Sequence, residues 1–117
     1  MPTRIQRRRT RGWRAPDNCR YVGRPTQWGN PCEVLSDGDL HWLIRQPGLI
    51  EGPFGSRESA IDESLAKYRG WLRSMQRHGE LAGFLEPLRE YEHLSCWCPL
   101  DKPCHVDVLI EAMEWEV

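Results

Sequence analysis

No stretch of this 117-residue chain approaches the ~18 consecutive apolar residues of a membrane span. The basic residues near the start have no apolar run behind them, so a secretory signal is not expected. Neither the Gly-x-Gly-x-x-Gly of dinucleotide sites nor a Walker loop is present. No internal repeat or low-complexity linker interrupts the sequence, which reads as a single domain over residues 1–117 with an irregular insert near 36–56. That length supports a core without disulfides. Cysteine is limited to five residues, an odd number, and the expectation is a reduced, cytoplasmic protein whose thiols serve ligation, catalysis or burial. A composition of 39% hydrophobic and 28% charged residues is that of a soluble globular chain rather than a disordered one.

The formal net charge of −1 hides an asymmetry. Arg4, Arg7, Arg8, Arg9, Arg11 and Arg14 precede residue 15 with no acid and no lysine among them, which leaves the rest of the chain acidic. One reading is a solvated basic tail that touches nucleic acid. The other is an ordered anion-binding segment, because Ile5, Thr10, Gly12 and Trp13 interleave the arginines. Arginine also meets phosphate bidentately, which lysine does not.

The densest chemistry lies near the other end. Leu94 to Leu109 holds Cys96, Cys98, Cys104 and His105, after a short apolar run and before a helix-period one. A Cys-His pair at a helix start sits where thiolate and anions are favoured.

Residues 3–8 and Arg20-Tyr21-Val22 are predicted as strands, the second followed by a turn-rich loop from Gly23 to Pro31. A short helix is expected around Leu40-His41-Trp42-Leu43-Ile44 within the insert. Ser56 caps a predicted helix over 57–77, with Ile61, Leu65, Tyr68, Leu72 and Met75 as its apolar stripe. A second helix over 80–91 is shortened or divided by Pro87. Residues 92–98 read as a buried strand and 104–114 as a final helix. This order favours a small α/β domain, Rossmann-like, with a partly parallel sheet flanked by helices. Ligands of such sheets sit beyond the carboxyl ends of the strands.

The segments Arg4–Arg14, Tyr21-Val22-Gly23-Arg24-Pro25-Thr26, Trp28-Gly29-Asn30-Pro31, Ala66–Leu72, Cys96-Trp97-Cys98-Pro99 and Pro103-Cys104-His105 span the chain. In them the sequence resembles the domain-of-unknown-function family 4326, small proteins of bacteria and tailed phages. The resemblance implies that the arginine-rich start belongs to the domain, and that the protein works in a bacterial cytoplasm, the host's if phage-encoded. Cys32 departs from the family pattern, where an aromatic commonly follows Gly-Asn-Pro, and the insert around 36–53 is longer than usual. The family carries no agreed activity, so function rests on the residues.

Three readings of the site compete. Zinc suits cysteine and histidine, with Cys32 or Cys19 available to complete a set. The spacing argues against it: Cys96 and Cys98 point to opposite faces of a strand. Cys104 and His105 diverge by about 100° on a helix. No metal ligand is therefore assigned. A nucleophilic Cys104 with His105 as its base is the second reading. The third is an anion pocket, and it uses the most sequence. Arg24 with Arg7, Arg9 and Arg14 would hold phosphate, Gly29 and Asn30 would shape the opposite wall, and Trp28 (or Trp13) would stack on a base. Cys104 and His105 would stand at the polar or reacting end. The expected function is therefore binding, with processing as a further option, of a nucleotide-like or phosphorylated small molecule. The alternative is a non-enzymatic module for nucleic acid or a host protein, with structural zinc. No cofactor and no oligomeric state can be read from the sequence.

Overall fold

The computed structural model describes residues 2–36, 38 and 42–115. Three strands, β1 (Thr3–Gln6), β2 (Cys19–Tyr21) and β6 (His93–Cys96), form a parallel sheet in the order β1-β6-β2. A second sheet is antiparallel: β3 (Glu33–Ser36), β4 (Trp42–Gln46) and β5 (Leu49–Phe54), in chain order. The helices are α1 (Arg57–Arg77), α2 (Leu81–Leu85), with a 3-10 turn over Glu86–Leu88, and α3 (His105–Trp115).

The expected α/β class holds. The parallel sheet is smaller than a Rossmann sheet, and residues 7–18 join β1 to β2 without a helix. Its central strand is β6, in which Leu94, Ser95 and Cys96 are all buried. A short, fully buried run between two parallel neighbours is the expected pattern when both faces are covered.

The insert is where expectation and structure part. Residues 33–36, 42–46 and 49–54 are regular strands rather than an irregular excursion. Trp42, Leu43 and Ile44 belong to a strand and not to a helix; Leu40 and His41 lie outside the described residues. The physical reason is the two-residue turn Pro47-Gly48, where Gly48 adopts φ +78 and reverses the chain, pairing Gln46 with Leu49. Side chains then alternate, and Ile44 goes inward against Cys32 and Ala60.

Helix α1 ties the two sheets together. Ser56 caps it by accepting from the Ser59 N–H at 3.0 Å, as its position foretells. The buried residues Ala60, Ser64, Tyr68 and Leu72 recur every four positions. Ala60 packs in the small core beneath the antiparallel sheet, while Tyr68 and Leu72 enter the main core with Leu94, Val106 and Leu109. The predicted stripe is thus displaced at its start: Ile61 and Leu65 line a cavity instead. Helix α3 begins with Asp107 reaching back to accept the Cys104 N–H at 3.2 Å, half of a capping box.

Candidate functional site

A cavity of about 420 Å³ opens beyond the carboxyl ends of β2 and β6, beside the start of α3. Its far side comes from α1 and the first residues of the antiparallel sheet. The volume is that of a small-ligand pocket. Arg24, Arg57 and His105 line it, and among the described residues no Asp or Glu does. That is a strong local bias in a chain with 17 acidic residues.

One wall is a clasp built from side chain to backbone. Arg24 donates through Nε to the Asn30 carbonyl at 2.9 Å and through Nη2 to the Cys32 carbonyl at 3.2 Å. The buried Asn30 amide donates to Ser64 Oγ at 2.8 Å and accepts the Cys32 N–H at 2.9 Å. Ser64 Oγ in turn donates to the Cys32 carbonyl at 2.8 Å. Gly29 makes this fold-back feasible, since a Cβ there would meet the Arg24 backbone N at 3.0 Å. Asn30 therefore shapes the wall, and Gly29 acts from behind it rather than on a ligand.

The opposite wall is sulfur. Cys96 is the last residue of β6, so the chain turns before Cys98 and strand alternation no longer separates them. Cys104 precedes α3 and is not held to helical geometry. The three sulfurs consequently lie within 4.8 Å of one another, with Cys96 and Cys104 at 3.0 Å. The separation of Cys96 and Cys98 expected from strand geometry fails because the strand ends at Cys96, whereas His105 stays outside the group as its divergence from Cys104 implies. Cys19 and Cys32 stay outside the group, and all five cysteines are free. Burial raises the Cys32 thiol, which contacts Gln46 Oε1 at 3.5 Å.

Within the group Cys98 is the sulfur that favours thiolate. Hydrogen bonds from Cys104 and then Cys96 lower its pKa, with help from the charge of Arg4. Cys104 moves the other way, raised by its hydrogen bonds to Cys96 and Cys98 and by burial. The thiolate character assigned to Cys104 on sequence grounds thus falls on Cys98. His105 is buried, and that burial lowers its pKa, so it is a neutral imidazole. Its Nε2 lies 2.9 Å from the Val22 carbonyl and must carry the proton, which leaves a lone pair on Nδ1, 3.5 Å from Cys104 Sγ. Tyr68 meets the ring edge-on at 5.7 Å.

The arginine-rich segment is ordered, as the anion-binding reading required, but it stands behind the cavity. Arg7 lies over the rings of Trp13, Tyr21 and Trp97 at 5.7, 5.1 and 5.2 Å, and Arg9 over Trp97 at 4.6 Å. Neither lines the cavity, and exposed Arg14 does not either. Their guanidinium groups instead brace Trp97, which does line it. Arg4 is the arginine that the sequence reading passed over. Its side chain is 9% exposed, pairs with Asp107 at 2.8 Å and donates to the carbonyls of Cys98 and Pro99. It thereby pins the cysteine loop to both β1 and α3.

Trp28 is likewise a correction. It is 4% exposed, donates from Nε1 to the Phe84 carbonyl at 2.9 Å and accepts the Tyr68 hydroxyl at its own carbonyl. A ring so enclosed is core and not a stacking surface. The aromatics at the cavity are Tyr21 and Trp97. Trp97 had the signal of its neighbours, since a tryptophan between two cysteines at a strand end is carried out with the loop. Arg57 was also missed; it was read only as the first residue of a helix.

No curated protein and no solved structure matches this chain. One family model does, the Domain of unknown function (DUF4326), over residues 5–115. That span takes in Cys98, Cys104 and His105, the clasp at Asn30 and nearly all of the arginine segment, Arg4 lying just outside it, so the chain belongs to the DUF4326 family.

Proposed function

We propose that the cavity binds a phosphorylated small molecule, nucleotide-like in size, and that this is the protein's primary role. The observation that carries the reading is the lining: two arginines, a histidine and, among the described residues, no carboxylate around about 420 Å³. An anion gains most where no like charge competes and where a guanidinium offers paired donors. The N-terminus of α3 adds N–H groups and positive potential on the same side. Arg57 is free of the clasp and holds the anion; Arg24 holds it while bracing the loop. Tyr21 and Trp97 supply the flat apolar surfaces for a base or sugar. Cys104 and His105 bound the polar end, and binding, rather than covalent attack by a buried and protonated Cys104, is the reading favoured.

Thermal unfolding against a panel of nucleotides and nucleotide sugars tests this. At a hundredfold over its Kd a true ligand adds about 2.7 kcal/mol through linkage. Arg57→Ala should reduce that shift while leaving the unliganded melting temperature nearly unchanged. No shift from any phosphorylated compound, with an unchanged response in Arg57→Ala, overturns the proposal.

A second reading draws on the exposed Arg8, Arg9, Arg11 and Arg14, which could meet nucleic acid. Several phosphate contacts would make affinity fall steeply with salt. Pocket binding of a mononucleotide would show a far smaller salt slope.

A further inference from the structure

We propose that Cys96, Cys98 and Cys104 bind one Zn²⁺ ion and leave its fourth coordination position open to the cavity. The three sulfurs lie within 4.8 Å of one another although they come from a strand end, a loop and a helix start. Tetrahedral zinc with sulfur at about 2.3 Å requires sulfurs about 3.8 Å apart. The group lies within an ångström of that spacing at its upper bound of 4.8 Å, and the pair at 3.0 Å opens by under an ångström to reach it. Three sulfurs without a carboxylate among them select a thiophilic ion over Mg²⁺ or Ca²⁺.

One charged side chain stands beside the sulfurs. Arg4 donates to the Cys98 carbonyl beside them and offsets the single negative charge left by three thiolates around a dication. His105 stands against the group without completing it. Its ring is anchored through Nε2 to Val22, and the three-sulfur cluster closes without Nδ1. All three cysteines face the cavity, so the vacant position falls to water or to a donor atom of a bound molecule. An open position of this kind distinguishes reactive zinc from closed structural sites.

The test is the metal content of the full chain, purified under reducing conditions without added metal. Close to one zinc per chain is expected, falling to near zero in Cys98→Ser and Cys104→Ser and unchanged in Cys19→Ser. Because a cysteine variant can fail to fold, the wild-type protein is also reconstituted with Co²⁺. A tetrahedral visible spectrum with a thiolate charge-transfer band supports the site. Retention of zinc in His105→Ala supports the open position, and its loss there overturns it. A stoichiometry near zero, iron in place of zinc, or a Cys96–Cys104 disulfide in the purified protein overturns the site itself. No nucleotide enters these measurements, so their failure leaves the anion pocket standing, and failure of every nucleotide leaves the zinc.

Discussion

The two walls of the cavity are built on opposite plans. At Arg24, Asn30, Ser64 and Cys32 the polar atoms answer one another, and the result is shape. At Cys96, Cys98, Cys104 and His105 the sulfurs and the Nδ1 lone pair have only weak partners among themselves. A satisfied network rigidifies, whereas under-committed donor atoms remain available to something that arrives. The first wall should therefore govern stability, and the second chemistry.

Asn30→Ala breaks this contrast most severely if it is real. It strands the Cys32 N–H and removes the donor to Ser64 in a buried place, so unfolding in urea should show a loss of about 2–4 kcal/mol. A loss below about 1 kcal/mol would mean that the clasp is decoration. Arg4→Met comes next, since it crosses between the walls. It deprives the Cys98 and Pro99 carbonyls and Asp107 of their donor, at a cost of about 1–3 kcal/mol, with Asp107 half exposed and so partly rescued by water. Alkylation of Cys98 should also speed up as its loop comes loose, and an unchanged rate would show that other contacts hold the loop. Arg57→Ala sharpens the division, since this exposed side chain lines the cavity and otherwise lies only loosely over the Trp42 ring at 6.0 Å; chemical denaturation should register a change within about 0.5 kcal/mol. Ser95→Ala has the smallest effect and the opposite sign. Its hydroxyl is buried in the centre of β6 without a partner among the described residues, so removal should leave stability equal or raise it by about 0.5 kcal/mol. A clear loss in calorimetry would reveal a partner for that hydroxyl.

What the sequence disclosed about these walls followed from local signals. Ser56 before an apolar stripe places α1 to the residue, and Pro87 divides the next helix, which ends at Leu85 with a 3-10 turn to Leu88, short of the expected residue 91. The arrival of Arg24, Asn30, Cys104 and His105 at one cavity follows from strand-end logic, because β2 and β6 both deliver their loops to the same edge. Strand alternation does not extend to Cys98, two residues past the end of β6, so the expectation that Cys96 and Cys98 face opposite ways fails. In the insert, Trp42-Leu43-Ile44 has no period of its own, and the deciding signal was Pro47-Gly48 just beyond it. Arg4 was indistinguishable from Arg7 or Arg9 by type; only its position opposite Leu94 on a buried neighbour sets it apart.

The order of the parallel sheet bears on how the chain comes into being. β6 lies between β1 and β2, yet it is the last strand to be synthesised. Until residue 96 has left the ribosome, the first two strands have no hydrogen-bonding partner, and the Arg4 guanidinium has no Asp107. The antiparallel hairpin, by contrast, pairs only near neighbours and can form as it emerges. The part of the cavity that comes from β6 is thus assembled in the final step, and a chain stalled before β6 presents no sulfur cluster to any ligand.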